Sequence, residues 1–121
     1  MNTLFLTALI IETIFGLGFI FIPAKMLGPY GVILNETAAT FARLFGSAIL
    51  CFPVLLWFAR KSENMDFKKA AVYTLLFYFL ISGIILVIAQ TAGLMNVLGW
   101  AIVGLHVLFV IWFGYYAVKQ N

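Results

Sequence analysis

Four long apolar runs, Leu4 to Ile22, Thr37 to Ala59, Ala70 to Ala92 and Leu94 to Val118, fill almost the whole chain and leave only short connections. Each is near the ~20 residues that a helix needs to cross the hydrocarbon of a bilayer. In lipid the backbone must satisfy its own hydrogen bonds, so a spanning segment is either a helix or a strand of a closed barrel. The runs lack the period-two alternation of barrel strands. The sequence therefore predicts an all-α integral membrane four-helix bundle. It is a single transmembrane domain over residues 1–121, with spans at about 4–22, 37–59, 70–92 and 94–118. Composition agrees: 65% of residues are hydrophobic and 9% charged, against roughly 25% charged in an ordinary soluble domain.

The first run is expected to be retained as a helix. It has no positive segment before it, it carries Glu12 in its middle, and no small-residue cleavage site precedes the following loop. Basic residues set the expected orientation. Arg60, Lys61, Lys68 and Lys69 flank the second connection and Lys119 follows the fourth run, whereas the opposite face has only Lys25. This bias predicts both termini on the cytoplasmic side of a multi-pass protein. The third connection, around Gln90-Thr91-Ala92-Gly93, predicts a tight hairpin between the third and fourth helices. The first connection is longer. Its Pro23, Gly28, Pro29 and Gly31 break helix, and its apolar residues keep it on the interface. Asn35 is the expected N-cap of the second helix, with Glu36 in its first turn. Pro53 is expected to bend that helix. The lone Cys51 excludes an intrachain disulfide.

Against this apolar background Glu12, Arg43 and His106 stand out, because each falls well inside a run. A charge at membrane depth costs a few kcal/mol or more, so such groups pair, face an interior, or serve a function. At about 1.5 Å per residue Glu12 and His106 lie near the middle of their runs, and Arg43 lies roughly 7 Å toward the outer face. Helical spacing puts Glu12 on one face with Gly16, and Arg43 with Glu36, Ala39, Thr40 and Ser47, with Gly46 adjacent. Small residues beside a charge let helix backbones approach closely. Both charges are therefore expected to face the bundle interior. The expected site is a polar seam from Gln90, Asn96 and Glu36 at the outer rim, through Arg43, to Glu12 and His106 at mid-membrane. Trp100 lies about one turn above it.

The seam has a structural reading and a functional one. In the first, Glu12 and Arg43 form a buried ion pair that fixes helix register, His106 bonds to a neighbour, and Gln90 and Asn96 satisfy loop backbone. In the second, the carboxylate and imidazole exchange protons or hold a ligand, with Arg43 receiving an anionic head group. Trp57, Trp100 and Trp112 with Tyr30, Tyr115 and Tyr116 are expected to serve mainly as interfacial anchors. The 13 phenylalanines are spread over the spans and need no cofactor to explain them.

Enzyme chemistry finds no support. One histidine and one cysteine give no metal-ligand cluster, and no cofactor is implied. No nucleophile elbow or glycine-rich phosphate loop is present. Nucleic acid is not an expected partner, since the formal charge of +3 resides largely in one short loop.

The stretches Ala42-Arg43-Leu44-Phe45-Gly46, Leu56-Trp57-Phe58-Ala59-Arg60, Ala89-Gln90-Thr91-Ala92-Gly93 and Asn96-Val97-Leu98-Gly99-Trp100 resemble a broad family of small prokaryotic four-helix membrane proteins of unknown function. The resemblance covers the second to fourth helices and implies that Arg43, Gln90, Asn96 and Trp100 belong to one site. The chain is also similar to the small multidrug resistance transporters in its length, its four spans and a single glutamate, Glu12, in the first helix. It departs from them in lacking their aromatic and glycine pattern in the third helix, in carrying Arg43, and in its one-sided basic bias.

Three functions are therefore expected to compete. The first is a small accessory or ligand-binding membrane protein, alone, as a homo-oligomer or within a larger membrane complex, whose seam opens to the outer face and takes a lipid-like or anionic small molecule. The second is a proton-coupled exporter using Glu12. The third is a structural subunit with a buried Glu12–Arg43 ion pair.

Overall fold

The computed structural model describes residues 1–120; residue 121, the last of the expected domain, lies outside the described residues. The described chain is all-helical. Helix α1 spans Asn2–Phe21, a short α2 spans Pro23–Leu27 and runs into a 3-10 turn at Gly28–Tyr30, α3 spans Glu36–Ile49, α4 Cys51–Lys61, α5 Met65–Thr91 and α6 Gly99–Lys119. Four segments are long and apolar enough to cross a membrane: α1, α3 with α4 as one unit, α5 and α6. Both described ends of the chain and the α4–α5 connection lie at one end of the bundle, the termini end. The first and third connections lie at the other, the loop end.

Local sequence explains most boundaries. Asn35 caps α3, its side chain accepting the Ala38 amide at 2.8 Å, and Asn64 caps α5 through the Asp66 and Phe67 amides. The second span is interrupted at Leu50, one turn before Pro53. Proline has no amide hydrogen to offer the carbonyl four residues earlier, and its ring crowds that carbonyl, so the span divides there. Helix α6 starts at Gly99, later than the apolar run from Leu94 implied. The intervening Ala92–Leu98 segment turns on Gly93, whose φ of 74° suits a residue without a Cβ. There the Gly93 and Leu94 amides close the end of α5 on the Gln90 and Ala89 carbonyls.

The helices pack as two units. Helix α1 lies against α3 and α4, α5 lies against α6, and α4 meets α5. They are tied together by one core toward the termini end, where Phe5, Phe79, Phe109 and Phe113 interleave with Ala8, Ala59, Ala71 and Ala117. The rings of Phe79 and Phe109 stack at 4.6 Å between centroids. Toward the loop end the packing thins. Between Phe79 and Gln90, α5 has no fully buried residue, and the two units part around a cavity.

A second tie closes the loop end. The Asn96 side chain donates to the Pro29 carbonyl at 2.9 Å, its backbone amide donates to the Tyr30 carbonyl at 2.8 Å, and its side-chain oxygen accepts the Leu98 amide at 2.9 Å. One residue thus staples the α2 segment to the third connection.

Candidate functional site

The space between the two units is a cavity of ≈ 420 Å³. Phe15 and Phe19 of α1 and Phe41 and Phe45 of α3 form one wall. Ser82, Ile85 and Leu86 of α5 and Ile102 and Leu105 of α6 form the other. Leu27 of α2 and Met95 of the third connection roof it at the stapled loop end. Glu12, Tyr78 and His106 also line it, and the Phe79–Phe109–Phe113 stack lies beyond His106 toward the termini end.

The wall is open sideways. Phe41, Phe45 and Ile85 face the cavity and yet are 66%, 46% and 59% exposed, respectively. Tyr78, Ser82 and Ile85 are shared with an apolar groove on the outside of the bundle, between α4 and α5. The opening is therefore toward the surface that meets lipid, while the loop end is roofed and the termini end is packed.

Glu12 is the most informative group here. It is 4% exposed, and among the described residues it has no ion pair and no hydrogen bond. Its oxygens border the cavity instead of being sealed within protein. His106, also buried, donates from Nδ1 to the Ile102 carbonyl at 2.9 Å. A carbonyl oxygen can only accept, so Nδ1 carries the hydrogen and Nε2 is left as the free ring nitrogen. The imidazole packs edge-on against Phe79, with 5.4 Å between centroids, and lies 6.3 Å from the Tyr78 ring. Gly83 of α5 lies beside it, where a Cβ would stand 3.4 Å from the His106 Cβ, in contact without a clash. The Ser82 hydroxyl donates to the Tyr78 carbonyl at 2.6 Å, so its oxygen is left with lone pairs only.

The other residues of the expected seam lie elsewhere. Arg43 is exposed on the outside of α3, in line with Glu36, Thr40 and Ser47, and forms no ion pair with Glu12. The expectation that both charges face inward is corrected for Arg43. The face of α3 that meets α1 is the small-residue face of Ala39 and Gly46, and turning that face inward turns the arginine stripe out. From there the long Arg43 stem can carry its charge toward the membrane interface. Gln90 and Asn96 do meet each other, but above the cavity: the Gln90 side chain donates to the Asn96 carbonyl at 2.9 Å. The Gln90 side-chain oxygen is buried without a partner, against the bare Cα of Gly99. Trp100 is 48% exposed at the start of α6 and does not line the cavity. The continuous seam from rim to mid-membrane is thus replaced by two separate features, a stapled roof and a polar cavity floor.

Sequence reasoning missed Tyr78 and the four cavity phenylalanines. The Tyr78 signal was present, since it lies one helical turn before Ser82 on the same face of α5. Among the described residues no group of three or more histidine, cysteine or acidic side chains could hold a metal ion. The chain matches no family model, no curated protein and no solved structure.

Proposed function

We propose that this multi-pass membrane protein is an intramembrane binding protein for a lipophilic small molecule that enters sideways from the bilayer. The observation that carries this reading is the Glu12 carboxylate, without a hydrogen bond or ion pair among the described residues, in a mostly apolar cavity whose side wall opens toward lipid. Small-molecule sites have this character: mostly apolar and aromatic lining, with a few polar groups that orient the ligand. The basic residues at the termini end support a cytoplasmic placement of that end. The resemblance to small prokaryotic membrane proteins favours a bacterial or archaeal plasma membrane. Binding accounts for the geometry better than export does, because among the described residues the termini end is filled by the packed aromatic core. With Arg43 outside, the anionic head group and the Glu12–Arg43 ion pair lose their basis.

Native mass spectrometry of the gently extracted protein tests this. The expected spectrum contains an adduct of several hundred daltons that is retained in Arg43→Ala and lost in Ser82→Phe, which fills the cavity. A bare protein mass in a preparation shown to retain loosely bound lipid would overturn it, as would an adduct indifferent to Ser82→Phe.

A further inference from the structure

The polar atoms of the cavity are unequally divided between donors and acceptors. The Nδ1 hydrogen of His106 is committed to the Ile102 carbonyl at 2.9 Å, which leaves Nε2 of the neutral ring as an acceptor. The Ser82 hydrogen is committed to the Tyr78 carbonyl at 2.6 Å, which leaves Oγ as an acceptor. The Glu12 carboxylate, 4% exposed and without a hydrogen bond, accepts at both oxygens when ionised. Only the Tyr78 hydroxyl, which has no hydrogen-bond partner among the described residues, can donate as well as accept. An occupant made only of hydrogen-bond acceptors could engage Tyr78 alone. An occupant bearing N–H groups would satisfy the others.

We propose that the cavity binds a primary-amine amphiphile, with its ammonium group on Glu12 and within reach of the remaining acceptors and its apolar chain among Phe15, Phe19, Phe41 and Phe45. This deepens the binding reading and rests on it. Two considerations select the ammonium. A carboxylate in a mostly apolar cavity is stabilised most by a cation that also hydrogen-bonds to it. A primary ammonium brings three donors to a site with several unfilled acceptors. The same argument discriminates against a quaternary ammonium of equal chain length. It supplies the charge but no N–H, and would leave the acceptor positions of Glu12, His106 Nε2 and Ser82 Oγ unfilled. The open side wall suits such a ligand, since the chain can remain partly in lipid while the head group reaches the floor.

The test compares dodecylamine, dodecyltrimethylammonium and dodecanol for binding to the full-length protein in nanodiscs, by competition against a bound fluorescent lipophile. Dodecylamine is expected to bind at least about tenfold more tightly than its trimethyl analogue, the size of one charge-assisted hydrogen bond. Glu12→Gln should abolish that preference. His106→Phe, which removes Nε2 and keeps a ring, should narrow it. Because the ligand comparison is made on the unaltered protein, it stands even if a variant folds poorly. Equal binding of all three probes would overturn the amine assignment and leave the cavity reading intact. Dodecanol binding as tightly as dodecylamine would overturn the role of charge. Failure of every probe to bind, and of the lipophile itself, would overturn the binding function as well.

Discussion

The backbones of Gly16 in α1 and Gly46 in α3 face each other with no side chain between them. A Cβ on Gly46 would stand 2.8 Å from the Gly16 carbonyl oxygen, and one on Gly16 would stand 3.2 Å from the Gly46 oxygen. Close approach of this kind is how helices associate where lipid removes the hydrophobic drive between them. The contact also sets the rotation of α3. With Gly46 turned to α1, Phe41 and Phe45 border the cavity and Arg43 lies outside it.

The two glycines should not tolerate alanine equally. At Gly46 the added carbon meets the Gly16 carbonyl oxygen and the Phe19 Cβ, each at 2.8 Å, and neither can swing aside. At Gly16 the nearest atom is the Leu50 Cδ2 at 2.6 Å, the end of a flexible side chain. Gly46→Ala should therefore destabilise by about 1–3 kcal/mol, and Gly16→Ala by less. Thermal unfolding in detergent checks this, and equal losses would contradict the packing described.

Arg43→Ala should leave stability within about 0.5 kcal/mol of the parent, as expected of an exposed side chain without a partner. Combined with Glu12→Gln, its effect should add, because the two side chains share no contact. A coupling energy above about 1 kcal/mol in that cycle would restore the buried ion pair expected from sequence.

Gly99→Ala should be destabilising, since its Cβ would run into the Gln90 side-chain oxygen. Gln90→Ala alone should cost about 1 kcal/mol for the lost bond to the Asn96 carbonyl. The double variant should be more stable than the sum of the two losses predicts, because shortening Gln90 removes the obstacle. Simple additivity of the melting shifts would show that Gln90 and Gly99 do not meet.

Asn96→Ala removes the side-chain bonds to the Pro29 carbonyl and the Leu98 amide. A loss of about 1–2 kcal/mol is expected, concentrated at the loop end. Hydrogen exchange should quicken in Ala24–Tyr30 while the Phe79–Phe109–Phe113 core stays protected. Exchange that rises evenly across the four spans would mean that Asn96 supports the whole bundle and not its roof.

Much of this architecture was legible in the chain itself. Run length, the scarcity of charge and the absence of alternation suffice to call four helices long enough to cross a membrane, because in hydrocarbon the backbone has few alternatives. Capping by Asn35 and the break near Pro53 follow from local chemistry, each acting within one helical turn. Glu12 and His106 could be singled out for the same reason: a titratable group in an apolar run is costly wherever the helix points.

What only the tertiary structure decided was rotation and separation. Helical spacing grouped Arg43 with Glu36, Thr40 and Ser47 as found, but wrongly added Ala39, which turns inward with Gly46; periodicity cannot say which of two plausible faces meets a neighbour. The Gly16–Gly46 approach decides that, and it is a property of two helices together. Nor does any local pattern say that the units close through a core toward the termini end and part between Phe79 and Gln90. That follows from interleaving Phe79, Phe109 and Phe113 with buried alanines from four helices. The sequence therefore determined which elements form and which groups are chemically conspicuous, because those depend on the chain's neighbours along itself. The cavity, its open side and the company Glu12 keeps depend on how distant faces meet, and only packing in three dimensions fixes that.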